Sequence, residues 1–274
     1  MSTQTLIERL HSTREAGSPV IVVGVGSGLT ARAAARGGAD LLAVYNTAIY
    51  RIRGLPTVLA FFPYDNANEL TLSTAPEVMI NAGGTPVLLG FGAHDPRCRL
   101  DRLVAQAEAM GACGVTNEPF LGMYGEEQRV QMEAAGLGFS RELTLVKYAV
   151  ERHMLALGWV FSEAEAQQMA EAGVQLLGVV TGVTAGGPAG GVPTVSMDEM
   201  VSRFRVVMDA ARAVRKDVMV LGHGGPLNDP ESVAFFLERS GADGYATGST
   251  GERVPVEIGV AEAVRRYKSI NVNF

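Results

Sequence analysis

The chain has 274 residues, 47% hydrophobic and 19% charged, so it carries enough apolar material for a large core and is not a disordered tail. A net charge of −6 argues against a general nucleic-acid or anionic-membrane binder, and two cysteines, Cys98 and Cys113, build neither a disulfide framework nor a cysteine-rich zinc site. Glycine is in excess, with 33 residues against a usual ~7%; without a Gly-X-Y period this excludes collagen and assigns the surplus to turns and close backbone approaches.

Residues 1–17 read as a polar, amphipathic helical extension and not as a signal peptide. No apolar stretch approaches the ~20 residues that span a bilayer, so the expectation is a soluble cytoplasmic protein with no membrane and no nucleic-acid partner. From residue 19 onward, short apolar runs alternate with helical patterns: 19–24, 41–45, 85–90, 114–117, 157–161, 175–180, 217–222 and 244–248. A phrase recurs before four of them: Gly38-Ala39-Asp40, Gly111-Ala112-Cys113, Ala172-Gly173-Val174 and Gly241-Ala242-Asp243. Each closes an amphipathic helix with glycine, the usual chemistry of a loop from helix to strand. Uniformly apolar strands fit a parallel sheet covered on both faces. Eight strand–helix units predict an α/β fold, a single (β/α)8 TIM barrel domain over 1–274 with the barrel itself at about 19–270, ahead of a flavodoxin-like or Rossmann sheet. No Pro/Ser-rich linker or charge block suggests a second domain.

In such a barrel the chemistry gathers at the C-terminal ends of the strands. Two connections there are long, 45–66 and the glycine-rich 181–196, the latter either a lid or a plain connection. The seventh strand ends in Gly222-His223-Gly224-Gly225-Pro226 and the eighth in Gly248-Ser249-Thr250-Gly251-Glu252-Arg253. Barrels commonly bind phosphate between these two loops with backbone N–H groups. Gly224, Gly225, Ser249, Thr250 and Arg253 are therefore anion-binding candidates; the structural alternatives are a tight turn, a helix cap and an i, i+4 pair with Glu257. His223 is the leading acid/base candidate, with His94 behind it. Glu118 and Asp95 are candidate bases or metal ligands, although Asp95-Pro96 equally fits a helix N-terminus. Tyr45, Asn46 and Asn117 are candidates to hydrogen-bond across the mouth. Lys147, Lys216 and Lys268 all fall in helical patterns, which leaves no lysine for Schiff-base chemistry. The glycines at 24–28 are followed by no acid closing the next strand, so NAD is not expected.

Together these motifs resemble the phosphoenolpyruvate hydrolase-like family of TIM-barrel signal-transduction proteins, related to the phosphoenolpyruvate mutase and isocitrate lyase superfamily. The resemblance runs from about Val22 to Lys268. It rests on Gly26-Ser27-Gly28-Leu29, on Ala34-Ala35-Arg36-Gly37-Gly38-Ala39-Asp40, and on Asn46 with Tyr50-Arg51 and Gly54. Pro63-Tyr64, Ala67-Asn68, Asp95-Pro96 and Gly114-Val115 with Asn117 and Pro119 add to it; His223-Gly224-Gly225-Pro226 and Glu252-Arg253-x-Pro255-Val256-Glu257 are its most distinctive parts. It implies a hydrolase or lyase acting on a small phosphorylated or carboxylated 2-oxo or enol acid. His223, Glu118 and Asn117 would be catalytic, and Ser27, Asn46 and Arg51 would join the anion-binding candidates. The superfamily's acidic Mg²⁺ motif has no counterpart, which leaves Asp95 as a weak metal candidate. Its Lys-Cys-Gly loop is also missing, Val180 stands where a histidine is expected, and Glu118 where an aromatic residue is common. The alternatives are a metabolite sensor using the same pocket and a phosphosugar isomerase or synthase. The partner expected is a small anionic metabolite, with a homo-oligomer as the expected assembly.

Overall fold

The computed structural model describes residues 1–186, 191–192 and 194–272. Eight parallel strands, β1 (Val20–Gly24), β2 (Leu41–Val44), β3 (Val87–Gly90), β4 (Gly114–Thr116), β5 (Leu155–Val160), β6 (Leu176–Val180), β7 (Met219–His223) and β8 (Gly244–Thr247), close in sequence order into a barrel. Closure is set by register: Val22 pairs with Leu41 on one side of β1, and Val23 with Thr247 on the other. The chain is thus a TIM barrel, with all eight apolar runs realised as strands.

Helix α1 (Thr3–Glu15) precedes the barrel, capped by the Ser2 side chain. Its Leu6 and Leu10 are buried with the interior residues Val20, Leu41, Leu155 and Met219, so α1 closes the N-terminal end. Around the barrel follow α2 (Gly28–Arg36) after β1, α3 (Asn46–Ile52) and α4 (Ala67–Asn81) after β2, and α5 (Leu100–Ala109) after β3. Then come α6 (Glu126–Ala134) and α7 (Phe139–Glu151) after β4, α8 (Glu163–Glu171) after β5, α9 (Met197–Val214) after β6, α10 (Pro230–Ser240) after β7 and α11 (Arg253–Lys268) after β8. Asp95-Pro96 does not begin a helix: α5 starts at Leu100, and Asp95 instead takes the Arg97 N–H and side chain. Lys216 lies in the turn beyond α9 and not in a helix.

The phrase that precedes the even strands has a physical function. Asp40, just before β2, accepts the Ile21 N–H of β1 at 2.8 Å, and Asp243, just before β8, accepts the Val220 N–H of β7 at 2.7 Å. Gln175 does the same before β6, taking the Ala156 N–H of β5 at 2.8 Å. Each side chain satisfies a backbone donor at the start of the neighbouring strand, where the ladder has no partner to offer.

Helix α11 breaks the pattern. Among the described residues it packs substantially only on the 3-10 turn Ser249–Gly251, and within it only Arg253 is buried. Ile258, Val260, Val264 and Tyr267 are exposed, while an apolar groove lined by Ile21, Val233, Leu237 and Val254 stays open beside β1 and β8. No helix among the described residues is long and apolar enough to cross a membrane.

Candidate active site

The C-terminal ends of the strands surround a narrow cavity that opens at its mouth and whose enclosed space is small, about 20 Å³. Its lining combines polar side chains, Arg51, Thr57, Glu118, Thr184, His223 and Ser249, with apolar ones, Phe61, Phe120, Met123, Trp159 and Val180.

Arg51 reaches the cavity because α3 begins directly after β2 and is buried along nearly its whole length. Its Nε donates to Glu252 Oε1 at 3.1 Å, and the other oxygen of Glu252 accepts the Gly26 N–H at 2.9 Å. Burial pushes the Glu252 carboxyl up, to about 7, against the Arg51 guanidinium and the Gly26 N–H, which hold it down. Arg51 Nη2 makes no hydrogen bond of normal geometry, with the Tyr45 hydroxyl beside it. Arg51 also lies over the ring of Tyr45, 5.8 Å from its centroid, and Gly24 makes the room: a side chain there would run into the Tyr45 hydroxyl and Arg51 Nη2.

Glu118 follows β4 and is buried. The Thr47 hydroxyl donates to its Oε1 at 2.6 Å, while Oε2 has no partner. Burial raises this carboxyl to about 8, with Thr47 and Arg51 pulling the other way, so at neutral pH it carries a proton. His223 ends β7, with its ring 4.8 Å from that of Trp159. Its Nδ1 lies 2.8 Å from Ala246 O, and since a carbonyl only accepts, Nδ1 carries the proton and Nε2 the lone pair. Burial pulls the ring down to about 4, so at neutral pH His223 is a neutral imidazole. Two further polar atoms at the cavity are buried without partners, Thr57 Oγ1 and Trp159 Nε1.

Of the candidates read from sequence, the structure brings Tyr45, Arg51, Glu118, His223 and Ser249 together and places the others elsewhere. Asn117 lies outside the cavity; its amide bridges Glu142 Oε2 at 2.6 Å and the Trp159 carbonyl, and its Oδ1 takes the Trp159 N–H at 2.7 Å, so it brackets β4 to β5 and α7. Asn46 donates to Ala60 O at 2.8 Å and pins the 3-10 turn Thr57–Phe61. Ser27 is the N-cap of α2, accepting the Thr30 N–H. The glycine cradle is also corrected. Gly224 and Gly225 have φ of 80° and 55°, a Cβ on Gly224 would collide with Gly182 O, and the Gly225 N–H donates to that same carbonyl. These two glycines let the β7 loop press against the β6 loop, and at Gly225 the N–H is taken. Thr250 bonds the Tyr245 hydroxyl at 2.9 Å in the groove beside α10. Arg253 is buried beside Glu257 and the Gly186 carbonyl. Tyr45 lines the cavity; His94 and Asp95 line a separate depression beyond Phe61 and Pro119. Of the lid candidate 181–196, positions 187–190 and 193 lie outside the described residues.

The donor set does not suit Mg²⁺. Among the described residues no three His, Cys, Asp or Glu side chains converge, Glu118 is a protonated carboxyl, Glu252 is paired with Arg51, and Asp95 is held by Arg97 well down at about 2. Sequence reasoning missed Thr57, Trp159 and Thr184 as cavity residues, and Thr47 as the partner of Glu118. It quoted Glu252 only within a motif, although a buried acid behind the eighth strand was the available signal for an arginine partner.

The chain is 34% identical over 268 residues, 97% of its length, to the ToMV susceptible protein tm-1(GCR26) of Solanum lycopersicum, and covers 36% of that relative. It therefore spans about a third of the length of the first curated relatives it matches. Among solved structures it is similar to 2,3-dimethylmalate lyase, a phosphoenolpyruvate mutase/isocitrate lyase superfamily member, at TM-score 0.64 and 14% identity, covering 99% of this chain and 89% of that one. It is also similar to oxaloacetate acetylhydrolase in complex with 3,3-difluorooxalacetate, at TM-score 0.62 and 13% identity, covering 97% and 86%. At such identities the likeness is one of fold. The model of the phosphoenolpyruvate hydrolase-like family matches residues 5–270, and the chain belongs to that family.

Proposed function

We propose that this barrel is a lyase or hydrolase of a small anionic 2-oxo or enol acid, working at the mouth cavity. The observation that carries this reading is the meeting of three complementary groups in one cavity: Arg51 with an Nη2 that makes no normal hydrogen bond, a protonated Glu118 with an unpartnered Oε2, and a neutral His223 with a bare Nε2. Arg51 holds the substrate carboxylate. His223 Nε2 accepts a proton from the attacking water or from a substrate hydroxyl. Cleavage of the C3–C4 bond of a 2-oxo acid, by loss of the proton of a 4-hydroxyl or by attack of water at a 4-carbonyl, leaves its electron pair on one atom, the enolate oxygen at C2. Glu118 gives its proton there, in a site where water is largely excluded and a positioned acid is most effective.

The test is an NMR screen of 2-oxo and enol acids for turnover, with Glu118→Gln alongside. Gln keeps the shape and loses the acid, so the rate should fall by about 10²–10⁴-fold with binding retained. Full activity in Glu118→Gln would remove this residue from the mechanism. A second reading, a metabolite sensor using the same cavity, is supported by the name of the Solanum lycopersicum relative, which states susceptibility and no reaction. A ligand bound tightly and recovered unaltered would favour it.

A further inference from the structure

If the mouth cavity is a site for a 2-oxo or enol acid, the reading on which the present inference rests, its charge and its apolar lining narrow the class of acid it takes. Among the described residues, Arg51 is the only cationic side chain lining the cavity. Its charge is already shared, since Nε faces Glu252 at 3.1 Å with both side chains buried. His223 adds no charge, because Nδ1 is committed to the Ala246 carbonyl and burial keeps the ring unprotonated. The loop residues after β6 that lie outside the described set, Gly187 to Gly190 and Pro193, carry no charge either. One negative charge can be matched here by Arg51. A second one, buried near Glu252 with no second cationic side chain among the described lining residues, is disfavoured.

The remaining polar groups are neutral donors or acceptors. Trp159 Nε1 and Thr57 Oγ1 have no partner, and Ser249 is buried at the cavity. Such groups suit the uncharged carbonyl oxygen of a 2-oxo acid and the second oxygen of its carboxylate. The same lining carries a packed apolar cluster. Phe120 packs against Phe61 at 5.4 Å and Trp159 at 6.0 Å between ring centroids, Phe120 and Trp159 are buried, and Met123 and Val180 complete the surface. A polar or charged far end of a substrate would lose its water against this cluster and gain no hydrogen bond; an alkyl group fits it.

We infer that the acid bound here is a 2-oxo monocarboxylate carrying a compact apolar substituent, with the carboxylate at Arg51 and the substituent against Phe61, Phe120 and Met123, and is not a dicarboxylate or a phosphorylated acid. The class of reaction that supplies or consumes such a compound makes or removes branched or aromatic 2-oxo acids.

Calorimetric titration at pH 7.5 with four probes tests this: 2-oxoisovalerate, pyruvate, oxalate and phosphonopyruvate. The expected order is 2-oxoisovalerate tightest, ahead of pyruvate by about tenfold or more for its added methyl groups in a hydrophobic pocket, with oxalate and phosphonopyruvate weaker than pyruvate. In Met123→Ser, the advantage of 2-oxoisovalerate over pyruvate should shrink severalfold. If oxalate or phosphonopyruvate binds more tightly than both monocarboxylates, and Arg51→Met abolishes that binding, the inference is overturned while the proposed function stands. If none of the four binds, the proposed function itself fails. The wild-type order decides the question even if Met123→Ser does not fold.

Discussion

Arg51 can point its Nη2 into the cavity only because position 24 has no side chain, and this makes Gly24 a sensitive probe of the site. In Gly24→Ala the added methyl meets Tyr45 and Arg51; overpacking of this kind costs about 1–3 kcal/mol, visible as a lower unfolding temperature, and ligand affinity should fall as Arg51 shifts. The two titrating groups set a pH window. His223 must be unprotonated and Glu118 protonated, so kcat/KM should hold between about 4 and about 8, falling below as His223 takes a proton and above as Glu118 loses one. The same shifts act on stability with opposite signs. The folded pKa of Glu118 is raised from 4.5, so its contribution is fully present below 4.5 and lost as pH rises through about 8. That of His223 is lowered from 6.5, so its contribution is present above 6.5 and lost as pH falls through about 4. Glu118→Gln abolishes the first limb; relative to wild type it should gain stability between pH 5 and pH 9 in thermal unfolding, and an unchanged difference would show that Glu118 is not the titrating group.

Elements divide into those whose roles were readable in the sequence and those whose roles were not. All eight strands were legible, because a parallel strand covered on both faces is a short unbroken apolar run and most of the preceding helices, those before β5 and β7 excepted, announce their end with glycine. The rim was harder. Glu118 and Asn117 are neighbours at the end of β4 with similar polarity, yet one enters the cavity and the other is consumed in a bracket to Glu142 and Trp159; which way a strand-end residue turns depends on the neighbouring strand and is not written in its own. Gly224-Gly225 has the composition of an anion cradle, but positive φ serves close loop packing as well as ligand approach. The bracket makes its own prediction: Asn117→Ala leaves Glu142 and the Trp159 N–H short of a partner in a buried setting, at a cost of about 1–3 kcal/mol. A denaturation midpoint lower than wild type is expected, with the pH window of activity unchanged. A shifted window would return Asn117 to the chemistry.

At the scale of the whole molecule, α11 is the element that the barrel alone does not explain. Helices normally owe their stability to an apolar face buried on a neighbour, yet Ile258, Val260, Val264 and Tyr267 face outward, and the groove along β1, β8 and α10 lies open. Both surfaces would be covered if copies of the chain associated, in keeping with the homo-oligomer expected from sequence. Light scattering after size exclusion should then give a mass above the 28.9 kDa of one chain, and Val260→Glu with Val264→Glu should lower it; a monomer at all concentrations would contradict this.

The central claim, that one mouth cavity holds a small 2-oxo acid between Arg51, Glu118 and His223, is tested most directly by a crystal structure with 2-oxoisovalerate soaked in. The account predicts the carboxylate at hydrogen-bond distance, about 2.7–3.2 Å, from Arg51 Nη2, with the carbonyl oxygen near Glu118 and the methyl groups against Phe120. Density for the acid between the 222–226 and 248–253 loops, away from Arg51, or an empty cavity at saturating ligand, would contradict it.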